Sequence, residues 1–184
     1  PAASEIYARG SARGHPGTRR RRQHLCFGQL EQPKRSKEAK EAALQSINGT
    51  TLSELKFTDI EGHVYTIDDL KNKVAVFTFW QINNTSCIAE IPKLNQLKIK
   101  FKNRPVLFFA IALDNKADLN SFLKTTLFNH TIIPNGSDLA NRFEIPDYPY
   151  HLILDKNGTI EYITDELRLN AINHLQRRIH RLLR

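Results

Sequence analysis

The order of patterns along the chain predicts an α/β fold, a central mixed β-sheet flanked by helices. Three observations carry this expectation. KVAVFTFW (73–80) and PVLFFAIAL (105–113) are apolar runs of strand length, as strands covered on both faces are. Between them, Ile88, Ile91, Leu94, Leu97 and Phe101 recur at helical spacing with the lysines largely off that face. After them, HLILD (151–155) and TIEYIT (159–164) flank Lys156-Asn157-Gly158, a hairpin signal because Asn and Gly both tolerate positive φ.

The remaining elements fit around these. LKFTDIEGHVYTIDDL reads as two short strands about a turn at Glu61-Gly62. A helix is expected near 116–127, a short strand near 131–133, and a helical piece at SDLANRF. The last twenty residues place Leu169, Ile172, Leu175, Ile179 and Leu183 on one helical stripe, with four arginines mostly elsewhere, the pattern of a closing helix that packs on a core. Cations near its end suit the helix dipole.

A chain of 184 residues, 40% hydrophobic, has room for one domain with appendages. We expect residues 1–47 to be a basic, disordered arm or leader with a short helix near 37–47, and residues 48–184 to form the domain. The formal charge of +8 is uneven. Residues 1–47 hold 10 Lys/Arg against 4 Asp/Glu, residues 48–164 hold 12 against 13, and residues 165–184 hold 5 against 2. No zinc-finger spacing or aromatic platform accompanies the arm, so specific nucleic-acid binding is not expected. No run approaches the ~18 apolar residues of a membrane span, and membrane contact is not indicated. The chain begins at Pro1 and lacks Met, so it reads as a processed or incomplete product whose targeting segment is absent. Two cysteines, Cys26 and Cys87, exclude a disulfide-rich scaffold or a cysteine-based zinc cluster. The seven histidines show no metal spacing, and no metal or other cofactor is expected.

Chemistry is expected in FWQINNTSCIAEIPKL (79–94), where a buried strand hands over to a helix. Helix N-terminal amides and the helix dipole there favour an anion such as a thiolate. Asn84 is a strong N-cap type whose side chain can accept the amide of Ser86 or Cys87. Cys87 then lies in the first turn, and free cysteine is among the most buried residue types. Glu90 suits the same turn.

This segment and its surroundings resemble the thioredoxin-like superfamily, specifically the TlpA/ResA type of cell-envelope thiol-disulfide oxidoreductases, a redoxin or AhpC/TSA-like group. The matching pieces are FTDIEG (57–62), DLKNKV (69–74), Phe79-Trp80, Asn83 to Cys87, Glu90-Ile91-Pro92 with Leu94, and DYPYHLILDKNGTI (147–160). The resemblance covers roughly residues 55–165 and implies a thioredoxin-like fold. It places Pro149 at the family's cis-proline position, and aligns Asn84-Thr85-Ser86-Cys87 with Cys-x-x-Cys. Asn84 therefore stands at the attacking cysteine, Cys87 at the resolving one, and Glu90 at a glutamate able to relay protons. The family tryptophan before the motif is Asn83 here.

Three readings follow. The first is a domain without dithiol-disulfide turnover that binds a protein or extended peptide through the cis-proline groove, with Tyr148, Pro149, Tyr150 and Trp80 as candidate contact residues, of which Trp80 reads more as core than as contact. The second is monothiol exchange through Cys87. The third is peroxiredoxin-like peroxidase chemistry, which the motif fits poorly: Trp80 and Asn84 fall where that family has proline and threonine, and Tyr148 and Tyr150 stand where its arginine is expected. His151, next to the cis-proline loop, reads as a surface or satisfied residue. The resemblance favours the cell envelope or periplasm.

Overall fold

The computed structural model describes residues 55–163 and 170–184. The expectations for the arm, its helix and Cys26, and that for Leu169, lie outside these residues.

The two apolar runs form the centre of a five-stranded sheet. β3 (Val74–Trp80) is buried along its whole length and pairs in parallel with β4 (Val106–Ala112) on one side. On its other side it pairs antiparallel with β6 (Tyr150–Leu154). β5 (Thr131–Ile133) extends the parallel half, β7 (Ile160–Ile163) the antiparallel half, and the order is β5-β4-β3-β6-β7. A separate hairpin of β1 (Lys56–Thr58) and β2 (Val64–Thr66) turns over residues 59–63. Five helices complete the described chain: α1 (Ile67–Leu70), α2 (Thr85–Lys100), α3 (Lys116–Leu123), α4 (Ser137–Arg142) and α5 (Ala171–Leu182).

Side-chain alternation on β3 divides the core in two. Val74, Val76 and Trp80 face Cys87, Ile91, Leu94 and Leu97 of α2 and Leu175 and Ile179 of α5. Ala75, Phe77 and Phe79 face the other way, into a cluster with Phe57, Phe109 and Phe143. The rings of Phe77 and Phe109 stack at 5.3 Å, and Phe57 meets Phe109 edge-on at 5.0 Å. Such pairs add to the area they bury.

Most expected elements are present, and the differences have local causes. IDDL closes a one-turn helix that the strand reading of that stretch does not contain, because Asp69 accepts both the backbone N–H and the hydroxyl of Thr66. α3 ends at Leu123, short of residue 127, and its Asn115 cap accepts from Ala117 N and Asp118 N. The expected hairpin is present, with β6 and β7 pairing antiparallel across the 155–159 connection. Asp155 Oδ1 accepts from Asn157 N and Thr159 N, Asp155 N donates to Thr159 O, and only Gly158 takes positive φ (80°). Gly136 is required by close approach, since a Cβ there would lie 2.3 Å from Ile111 and 2.9 Å from the Ala112 carbonyl oxygen.

Candidate functional site: a capped helix start against the cis-proline loop

β3 delivers the chain at Trp80 to a short turn held by Asp114, whose Oδ2 accepts from Ile82 N at 2.8 Å. α2 begins immediately after. Its N-cap is Asn84, whose Oδ1 accepts from Ser86 N at 3.0 Å and Cys87 N at 3.2 Å. The same side chain acts in the opposite direction through its amide nitrogen: Nδ2 donates to the Tyr148 carbonyl at 3.1 Å. The Tyr148-Pro149 peptide is cis. Asn84 therefore occupies two helix amides and ties the helix start to the loop entering β6.

Cys87 lies in the first turn of α2 and is 2% exposed. Burial pushes its thiol up to about 11, a backbone hydrogen bond from Gln81 opposes this, and the charges of Glu90 and Asp114 add to the rise. Desolvation thus outweighs the helix-start environment, and the neutral thiol is the favoured form.

One turn further, Glu90 turns inward. Its Oε2 lies 3.1 Å from His151 Nε2, and His151 Nδ1 lies 3.1 Å from Thr78 Oγ1. Thr78 and His151 are direct cross-strand partners on β3 and β6. With a carboxylate at Glu90, Nε2 carries the proton it donates, and the Thr78 hydroxyl serves Nδ1 as donor or acceptor. His151 is 2% exposed and satisfied on both nitrogens. The sequence reading of a satisfied residue anticipated this, but not its link to Glu90. The signal was a single polar residue placed in each of two apolar runs, at positions that pairing brings opposite each other.

The structure brings Asn84, Cys87, Tyr148 and Pro149 to one end of β3, but two of the expected contact residues are not surface residues. Trp80 is 1% exposed, packed between Phe122 and Phe128, and Tyr150 is 8% exposed on β6, with burial raising its phenol. The burial of Trp80 agrees with the core place its sequence position favours, whereas Tyr150 departs from the contact role expected of it, because the core claims side chains on both faces of β3 and β6. Tyr148 and Pro149 are half-buried and remain available. Among the described residues no cluster of three His, Cys, Asp or Glu side chains has metal-ligand geometry.

The sheet order, the helix start carrying Cys87 and the adjoining proline loop define a thioredoxin-like α/β fold. The chain belongs to the AhpC/TSA family, whose pattern matches residues 48–163. It is similar to the thiol-disulfide oxidoreductase ResA of Geobacillus kaustophilus, 25% identical over 117 residues that make up 62% of this chain and 67% of that protein. A ResA of Bacillus cereus is 27% identical over 105 residues, 61% of its length, so the chain spans about two thirds or less of these curated relatives. Among solved structures, a secreted Mycobacterium tuberculosis disulfide oxidoreductase homologous to E. coli DsbE superposes with a TM-score of 0.59. It is 22% identical, and the match covers 77% of this chain and 98% of that one.

Proposed function

We propose that the domain does not turn over dithiols and disulfides, and that it acts as a binding module for an extended segment of a partner protein at the Tyr148-Pro149 loop. The observation that carries this reading is the role of Asn84. At the position aligned with the attacking cysteine, its side chain is engaged with Ser86 N, Cys87 N and the Tyr148 carbonyl. It offers no nucleophilic atom there. The Cys87 thiol is buried and pushed up to about 11, so the neutral form prevails at neutral pH. Dithiol exchange needs an accessible attacking thiolate and a resolving partner on the same turn, and both conditions fail here. The TlpA/ResA resemblance and the neighbour described as secreted support placing the domain in the cell envelope. No described helix is long and apolar enough to cross a membrane.

Insulin reduction tests the reading. The purified chain is expected to reduce insulin disulfides no faster than its Cys87→Ser variant. Turnover that the variant abolishes overturns it in favour of monothiol exchange.

A further inference from the structure

Folding gathers positive charge on one pair of helices. α2, the turn after it and α5 (residues 85–105 and 170–184) carry nine Lys/Arg and a single acid. The rest of the described chain, residues 55–84 and 106–163, carries seven Lys/Arg and eleven Asp/Glu. The single acid, Glu90, lies 3.1 Å from His151 and is 15% exposed, at the edge of the α2–α5 groove that Lys93 and Lys100 also line. Reading charge in stretches along the sequence hid this, because residues 48–164 nearly cancel while α2 and α5 come together only on folding. They are joined by Lys100 Nζ donating to Gln176 Oε1 at 2.8 Å and by the rings of Phe101 and His180 at 4.8 Å.

Arg178 spends its charge on Glu161 at 2.6 Å. Lys93, Lys100, Lys102, Arg177, Arg181 and Arg184 are exposed and form no ion pair among the described residues. Complementing helix dipoles explains only part of this set, since that effect fades beyond the last turn and Lys93 and Arg177 lie further back. Beside these cations stand the two most exposed large hydrophobic side chains, Leu127 (74%) and Ile99 (63%). The Leu127 backbone is tied to the same helix: Asn95, one turn before Ile99 on α2, donates to the Leu127 carbonyl at 2.7 Å.

We propose that the α2–α5 face docks on an anionic lipid surface, with the cations meeting headgroups and Ile99 and Leu127 entering the acyl boundary. Exposed aliphatic side chains flanking a basic face suit that boundary. A nucleic-acid surface would be served by aromatic side chains for stacking, and the aromatic residue of this turn, Phe101, is 2% exposed. The Asn84 end of α2 lies about 20 Å along the helix from this basic end, so docking leaves the Tyr148-Pro149 loop clear. The proposal is independent of the redox reading of Cys87.

The test is flotation of the full chain with vesicles of phosphatidylcholine alone or mixed with phosphatidylglycerol. Two fourfold variants with the same change in net charge are compared: Lys93→Glu, Lys100→Glu, Arg177→Glu and Arg181→Glu on the face, and Lys56→Glu, Lys71→Glu, Lys116→Glu and Lys156→Glu away from it. Because the N-terminal arm is the same in both, its attraction cancels from the comparison. We expect partition onto phosphatidylglycerol vesicles to fall roughly a hundredfold for the face variant and about threefold or less for the other. Ile99→Asn with Leu127→Asn, which keeps every charge, is expected to weaken partition several-fold while leaving the circular dichroism unchanged. Equal losses in the two fourfold variants overturn the proposal, as does a face variant that loses binding to duplex or single-stranded oligonucleotides while its vesicle binding stays intact.

Discussion

Asn84 does at one residue what two features of the site need. Its carbonyl oxygen satisfies two of the amides that a helix start leaves unpaired, and its amide group satisfies the Tyr148 carbonyl. No other standard side chain of this length offers an acceptor and a donor together, so the substitutions separate the functions. Asn84→Ala removes both and is expected to cost about 1–2 kcal/mol in denaturant unfolding. Asn84→Asp keeps the cap, strengthens it through the helix dipole, and loses only the bridge. We expect it to retain most of the stability while the amide exchange of the 147–150 loop rises. If Asn84→Asp and Asn84→Ala are equally destabilised, the bridge to Tyr148 matters more than the cap. Glu90, Thr78 and His151 follow the same economy, each polar atom of the buried imidazole facing a partner.

At the level of elements, the start of α2 can be checked by rebuilding the motif. Asn84→Cys places two cysteines three apart at a helix start, where Cα atoms are about 5–6 Å apart, within disulfide reach. The expected outcome is a reversible bridge between residues 84 and 87 in a glutathione redox titration, read by mass spectrometry, with the cap lost in the reduced form. Two thiols that stay free under oxidising glutathione place the helix start elsewhere. That start was legible in the sequence because Asn84 follows an apolar strand and precedes an apolar helical stripe, and local rules settle both. β5 and the two central strands were legible for the same reason. The core place of Trp80 was legible too, from its position at the end of an apolar run, but the burial of Tyr150 was not, since proximity to a motif says nothing about which sheet face a side chain takes. Nor was the Glu90–His151 contact, which depends on the antiparallel register of β3 and β6. The β6–β7 hairpin was legible from Lys156-Asn157-Gly158, while the Asp155 carboxylate, which accepts from the amides of Asn157 and Thr159, was a detail of the loop that the rule does not supply.

For the whole molecule, the cost of its polar interior is expected to surface as acid sensitivity, and His130 is its main source. It is 6% exposed, its ring lies 5.2 Å from Phe108 and 4.8 Å from Phe128, and among the described residues neither ring nitrogen has a hydrogen-bond partner. Burial holds its pKa down to about 3, with the charges of Lys98 and His151 adding to the effect. Unfolded histidine titrates near 6.5, so between about 6.5 and 3 the unfolded chain binds a proton that the folded one refuses. Stability must therefore fall as pH drops through that window, by at most about 1.4 kcal/mol per pH unit for this one site, and level off below it. Asp59 acts in a lower window. Burial raises its carboxyl, but the amides of His63 and Glu61 and the His63 imidazole outweigh burial and hold it below the ordinary value of 3.8. Its contribution is present above that value and is lost only as pH falls through the lowered one. The two are separable with His130→Phe, which fills the same aromatic niche and removes both unpartnered nitrogens. Urea unfolding at a series of pH values between 7 and 3 is expected to show a flatter profile for His130→Phe than for the native chain, with the Asp59 loss retained at the acid end. Parallel profiles for the two proteins would mean that His130 is protonated in the folded state, and that its site opens to water.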